Sequence, residues 1–353
     1  MTGRRLTDLQ LEAESALPGP VWRFLSAGAG DEVSVGEAGA AWSRYRVVPR
    51  VLRGAEPDLS VRLLGETYAS PLGVAPTAMQ RAVHPEGELA TAGAAAGAGV
   101  PYVAPILAGH PFEEIGARTK RWWLQVYLPP DRTAAAPVIE RALRAGASAL
   151  VLTVDTPVVG TKYAVAADDA TGAWDAIDTS WHAANWPEHD PHPWASDLTT
   201  ADVTWLRSEF GVPVVAKGVL DPDDAAACVD AGAAAIWVSN HGGRQLDRCV
   251  ATADALPAIA AAVRARAEVY VDGGLRSGLD VVTALALGAR CAFLGRPVLW
   301  ALATGGERSV ARFLADLGDE VRETVLLSGV RPGAPAQVSI HPQHGSDLRK
   351  HSM

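Results

Sequence analysis

Val212-Pro213-Val214-Val215-Ala216-Lys217, a turn, Pro222-Asp223-Asp224-Ala225 through Ala231-Gly232-Ala233, and then Ala234-Ala235-Ile236-Trp237-Val238-Ser239 together form one repeat of a parallel β/α pattern. The first and last runs are short, apolar and partly β-branched, as strands buried on both faces must be. Between them, proline opens a helix and glycine after Ala231 closes it. Working outward, the same rhythm predicts strands at Leu72–Pro76, Val100–Ala104, Trp122–Tyr127, Ala149–Val154, Val212–Lys217, Ala234–Ser239, Glu268–Val271 and Arg290–Leu294. Helices such as Pro137–Ala145, Pro222–Ala231 and Leu279–Leu287 fall between them. Eight alternating units predict an α/β fold, a (β/α)8 TIM barrel. The alternative, a doubly wound sheet, would place a GxGxxG turn after its first strand, and the chain has none there.

Residues 7–30 read as two helices broken at Leu17-Pro18-Gly19-Pro20, Trp42 to Arg50 as an extended arm, and Leu59 to Ser70 as a hairpin around Gly65-Glu66. The expectation is a single domain over 1–353. Residues 1–70 would be its N-terminal helical cap and hairpin, 71–330 the barrel, and 331–353 a tail that frays from Gly345. After strand four a long loop, 157–196, shows no clear helix and holds Trp174, Trp181, Trp186 and Trp194. Such a loop at the end of a barrel strand suits a lid over an apolar substrate. It also carries His182, His189 and His192, but their spacing matches no common metal site and Pro187, Pro191 and Pro193 interrupt any helix, so no metal is expected.

Composition narrows the function. The 353 residues are 48% hydrophobic and 20% charged, enough for a large core, and the formal net charge of −9 argues against a nucleic-acid partner. Cys228, Cys249 and Cys291 lie far apart without CxxC spacing, which fits a reducing compartment; Cys249, in a loop, is the one open to reaction. Neither a signal peptide nor an 18-residue apolar span is present, so a cytoplasmic enzyme without a membrane anchor is expected.

The chemistry gathers at strand ends. Strand six delivers Ser239-Asn240-His241-Gly242-Gly243-Arg244-Gln245-Leu246-Asp247, which puts an imidazole and a guanidinium on one glycine-softened loop. A base beside a carboxylate clamp is what proton abstraction from a 2-hydroxy acid requires. Strands seven and eight end in Asp272-Gly273-Gly274-Leu275-Arg276 and Gly295-Arg296-Pro297. Loops at those two positions bind phosphate in barrels, and paired glycines with two arginines predict a phosphorylated ligand.

The nonapeptide 239–247 resembles the active-site signature of the FMN-dependent 2-hydroxy acid oxidases and dehydrogenases, a family that includes glycolate, lactate and hydroxymandelate oxidases and mandelate dehydrogenase. The resemblance runs from the Phe24 region to Ser328 and implies FMN as cofactor. It assigns the FMN contacts to Pro76, Thr77, Ala78, Gln125, Thr153, Lys217, Ser239, Asp272, Gly273, Gly274, Arg276, Gly295 and Arg296. Lys217 would stabilise the reduced anionic ring. It further implies that His241 takes a proton while a hydride equivalent passes to flavin N5, with Asp155 orienting the imidazole, Tyr127 bonding the substrate oxygen and Arg244 binding the carboxylate.

Three positions depart from the family pattern: Lys162 where a second arginine is usual, Phe24 where a tyrosine often stands, and Ala104-Pro105-Ile106-Leu107 where strand two usually ends in serines. Phe24, Leu107 and the tryptophan-rich lid imply a bulky or aryl-substituted hydroxy acid. Alternatives are a larger biosynthetic intermediate lacking a free carboxylate, a flavin isomerase like the type 2 isopentenyl diphosphate isomerases, and a flavin-binding scaffold whose chemistry has decayed. The resemblance also implies a homotetramer or octamer, and the absence of a long apolar insertion favours oxygen or a soluble electron acceptor.

Overall fold

The computed structural model describes residues 6–52, 57–170, 177–181, 184–186, 194–330 and 340–342. Its eight-stranded parallel sheet comprises β1 (Leu72–Val74), β2 (Val103–Pro105), β3 (Trp122–Val126), β4 (Ala147–Thr153), β5 (Val214–Val219), β6 (Ala235–Val238), β7 (Glu268–Val271) and β8 (Cys291–Leu294). Each strand pairs with its sequence neighbour, and β8 returns to β1 through Ala292, Phe293 and Leu294 against Leu72, Gly73 and Val74. The circle closes at a single parallel bridge, Val74 to Tyr102. All eight predicted strands are present, with ends shifted by a few residues, and helices lie between them as the α/β barrel requires.

Alternation along the strands sorts side chains into two cores. Val103, Trp123, Ala149, Val151, Val215, Trp237, Tyr270 and Phe293 point inward and fill the barrel. Their partners at odd steps, such as Leu124, Ile236 and Leu294, point outward under the helices. The interior is aromatic: Trp237 and Phe293 rings lie 4.0 Å apart, and Trp123 stacks on Tyr270 at 5.6 Å. Gly73 makes this possible, since a Cβ there would sit 2.4 Å from the Phe293 ring. The hairpin Val61–Leu63 with Glu66–Tyr68 forms as expected and packs Val61, Leu63 and Tyr68 against the same interior, so the barrel is filled from below.

Two expectations need correction. The arm that was to begin at Trp42 instead starts with a helix, Val33–Ser43, followed by the short strand Tyr45–Val47, which pairs antiparallel with Ile340–Pro342. The helix carries no side-chain cap, and Glu32 before it sits in a left-handed conformation, so the usual start signal is missing. Its tryptophan is buried and donates from Nε1 to the Gly273 carbonyl at 2.7 Å. The loop after β4 also contains a helix, Tyr163–Ala170, where none was expected. Of the lid residues, Trp174, His182, Pro187, His189, Pro191, His192 and Pro193 lie outside the described residues, as does the tail from Gly345. No helix among the described residues is long and apolar enough to cross a membrane.

Candidate active site

The inward alternation continues past the strand ends, and that continuation builds the site. Above Trp123 come Gln125 and Tyr127; above Val151 come Thr153 and Asp155; above Trp237 come Ser239 and His241; above Tyr270 comes Asp272. β5 would carry Lys217 alone, but a register shift between Lys217 and Val219 bends the strand at Gly218. Gly218 has φ 106°, and a Cβ there would fall 2.5 Å from the Asp155 carboxyl carbon. Only glycine therefore lets Asp155 lie against this strand.

His241 Nδ1 lies 2.9 Å from Asp155 Oδ1. Burial pushes the Asp155 carboxyl up, but the charge and hydrogen bond of His241, with help from Lys217 and Thr156, hold it below the usual carboxylate value. An ionised aspartate on Nδ1 leaves Nε2 for the substrate, provided Nδ1 carries the proton. The backbone at His241 is left-handed, φ 55°, and its N–H donates to Ser239 Oγ at 3.1 Å. Such a conformation is strained for histidine and recurs where a side chain must be aimed.

Lys217, 4% exposed, donates to Ser239 Oγ at 3.1 Å and pairs with Asp272 at 3.4 Å. Gln125 Nε2 donates to Thr153 Oγ1 at 3.1 Å beside it. Asp272 Oδ1 and Asn240 Oδ1 are buried and find no hydrogen-bond partner among the described residues. Buried polar atoms of that kind call for a ligand donor.

At the phosphate end Gly273 and Gly274 have φ 89° and 81°, and a Cβ on Gly274 would collide with the Ala38 carbonyl oxygen at 2.2 Å. Arg296 opens the helical segment Arg296–Ser328, which is broken by non-helical backbone at Gly305 and Gly306, and the first-turn amides face the same space. Burial, reinforced by Arg244 and Arg276, pulls the Arg296 guanidinium down to about 9, and burial lowers Arg276, which stacks on Trp300 at 5.1 Å. A guanidinium keeps its proton at neutral pH, so this crowding of buried cations registers as affinity for an anion. Glycine cradle, helix start and two arginines fit a phosphate; Lys217, Gln125, Thr153 and the strand-one loop fit the polar and flat parts of a flavin. The residues present fit FMN.

At the opposite end, Arg244 Nη1 donates to the carbonyls of Phe24 and Ala27, both at 2.7 Å, and its guanidinium lies 5.1 Å over the Phe24 ring. This differs from the free two-pronged clamp expected of it, because the end of helix Gly19–Ser26 takes one nitrogen. Burial lowers Arg244 to about 10. Lys162 Nζ donates to Gly160 O at 2.8 Å, and burial followed by the Arg244 charge lowers it to about 8. Burial, then the Asp155 charge, raises the Tyr127 phenol well above its ordinary value, so it stays a donor.

One cavity of about 600 Å³ joins these ends, a volume suited to a cofactor-sized ligand. Phe24, Pro76, Thr77, Ala78, Leu107, Gln125, Tyr127, Thr153, Lys162, Lys217, His241, Arg244, Asp272, Gly273, Gly274, Arg276, Gly295 and Arg296 all line it. Asp155 and Ser239 stand behind this wall and act through His241 and Lys217. Unforeseen wall residues are Ala38 from the N-terminal segment and Val159, Val165 and Thr179 from the loop after β4, while Trp194 stacks on Tyr127 at 5.1 Å. The loop after β4 is tied to the loop after β2 by Asn185, which accepts from Phe112 N at 3.0 Å and donates to His110 O at 3.0 Å.

The chain as a whole has known relatives. A 4-hydroxymandelate oxidase of Amycolatopsis orientalis is 41% identical over 342 residues, spanning 93% of this chain and 95% of its own length. An L-lactate oxidase of Nostoc sp. is 40% identical over 90% of this chain and 92% of its own. The crystal structure of a mandelate oxidase with (S)-2-phenylpropionate superposes with a TM-score of 0.89 at 41% identity, covering 96% of this chain and 98% of that one. Residues 13–339 match the model of the FMN-dependent dehydrogenases. Matched over nearly its whole length, this chain belongs to the FMN-dependent dehydrogenase family, and the relatives named here are 2-hydroxy acid oxidases.

Proposed function

We propose that this FMN-dependent enzyme oxidises 2-hydroxy acids with an aryl or similarly bulky apolar side chain to the 2-oxo acids. One observation carries the reading: His241, backed by Asp155 at 2.9 Å, shares a cavity with Arg244 and Lys162, two cations that form no ion pair among the described residues. A buried and a half-buried cation side by side favour a free carboxylate over a masked one.

Bound FMN would be held by Arg276, Arg296, the Gly273-Gly274 turn and Lys217, and supplies the two-electron acceptor. Arg244 and Lys162 bind and orient the carboxylate. Tyr127, kept protonated, donates to a substrate oxygen. His241 takes the hydroxyl proton at Nε2, and the imidazolium that forms is stabilised by ionised Asp155. The aryl preference is supported by Leu107, Val159, Val165 and Trp194 in the cavity wall, and by relatives named for mandelate and hydroxymandelate. Reoxidation by oxygen or a soluble acceptor, a cytoplasmic setting, and assembly as a homotetramer or octamer belong to the same reading. So does a single domain, supported by the cap's Phe24 and Ala38 in the cavity wall.

Anaerobic mixing with glycolate, lactate, mandelate and 4-hydroxymandelate tests this. Bleaching of the flavin band should be fastest with the aryl acids. Faster bleaching by glycolate would remove the aryl preference, and no bleaching by any of them would remove the reaction.

Lys162 adds a pH signature. Its ammonium, lowered to about 8, is charged below that pH and neutral above it, so carboxylate binding weakens as pH rises through about 8. KM should climb there in the native enzyme and stay flat in Lys162→Arg, whose guanidinium does not titrate. A native KM that is level from pH 7 to pH 9 would contradict a charged role for this lysine.

A further inference from the structure

We propose that Thr156 and Gln245 are positioning residues for the base: a one-way chain of hydrogen bonds, from the Gln245 amide to the Thr156 hydroxyl to the Asp155 carboxylate, aims His241 and ties it to the root of the lid. The inference rests on His241 being the base. Its direction is set by the Gly160 N–H, which can only donate and meets Gln245 Oε1 at 2.8 Å. That fixes the amide orientation, so Gln245 Nε2 faces Thr156 Oγ1, at 2.7 Å. With its oxygen accepting there, the threonine has one proton to give, and Asp155 Oδ1 lies 3.2 Å away. The same oxygen faces His241 Nδ1, while Asp155 Oδ2 has no partner among the described residues. Oδ1 therefore carries both contacts that orient the carboxylate. Thr156 is 4% exposed, so water does not readily replace its hydroxyl.

The far end of the chain is equally constrained. A Cβ on Gly160 would come within 2.2 Å of the Gln245 carbonyl oxygen, so the turn lies flat on the loop that bears His241 and Arg244. The Gly160 carbonyl accepts from Lys162 Nζ, and the Thr161 carbonyl accepts from Gly30 N–H at 3.0 Å. One strut thus sets the base and the second carboxylate cation relative to each other, although neither Thr156 Oγ1 nor Gln245 Nε2 is asked to touch the reacting carbon.

Three variants of the holoenzyme separate this from packing. Thr156→Val keeps the shape and deletes the proton; Thr156→Ser keeps the proton and deletes a methyl. Gln245→Glu keeps an acceptor for Gly160 but turns the Thr156 hydroxyl toward itself and away from Asp155. Anaerobic flavin bleaching by mandelate should slow by roughly tenfold or more in Thr156→Val and Gln245→Glu, the scale of one lost bond to a charged group, and stay near native in Thr156→Ser. Binding of benzoylformate, read from the flavin spectrum, should hold within about twofold, because both variants keep the acceptor for Gly160 N–H and so leave Lys162 in place. The Nδ1–H signal of His241 in histidine-labelled enzyme, assigned by its loss in His241→Asn, should move in the two slow variants only. Native bleaching in Thr156→Val with an unmoved signal overturns the chain, as does Thr156→Ser behaving like Thr156→Val. If Thr156→Val does not fold, Gln245→Glu against Thr156→Ser decides. Were native enzyme itself not bleached by any hydroxy acid, the reaction assigned above would fail, and the His241 signal would still decide the strut.

Discussion

His241→Asn will keep FMN bound and lose reduction of it by substrate, by roughly a thousandfold, the usual contribution of a positioned general base. Asparagine is the informative replacement because the residue sits at φ 55°. Asparagine tolerates that conformation, whereas alanine adds backbone strain to the chemical loss. Its amide also offers Asp155 a donor, so the buried carboxylate is not left bare. The cofactor should stay, since its holding groups, Arg276, Arg296 and Lys217, line other parts of the cavity. Stopped-flow bleaching under nitrogen, with the bound flavin spectrum as control, reads both halves. Reduction at a native rate would remove His241 from the mechanism.

The second large effect is on the cofactor. Arg276→Met with Arg296→Met should weaken FMN binding by roughly a hundredfold to a thousandfold, as two charge-assisted bonds to one phosphate would. The apoprotein should be no less stable, since both guanidiniums are depressed by burial and Arg296 is also crowded by Arg244 and Arg276. Thermal unfolding with and without added FMN separates the two: native protein gains stability as free FMN rises above its dissociation constant, and the double variant gains none over the same range. A variant that purifies yellow and saturated would place the phosphate elsewhere.

Much of this was legible in the residues because parallel strands are buried on both faces and announce themselves as apolar runs. Strand ends such as Val238-Ser239 and Val271-Asp272 mark where the run turns polar, and that is where barrels keep their chemistry. What escaped has physical causes. Helix Val33–Ser43 is rich in alanine and glycine and has no cap residue, so nothing local distinguishes it from a loop. Gly218 looks like an ordinary turn, and its purpose depends on Asp155 arriving from another strand. Arg244 is committed to carbonyls of Phe24 and Ala27, more than two hundred positions earlier in the chain. Thr156 and Gln245, 89 residues apart, meet only once the barrel has closed. Contacts of that kind belong to topology and not to local pattern.

The closure at Val74 and Tyr102 makes β1 and β2 the loosest joint in the cylinder. Amides along that joint are the natural starting point for local opening. The loops that rise from its two sides bring Thr77 and Ala78 on one flank and Pro105 and Leu107 on the other to the mouth of the cavity. A ligand lodged there would act as a stitch across the gap, so loading the cofactor should slow opening of the cylinder at this joint.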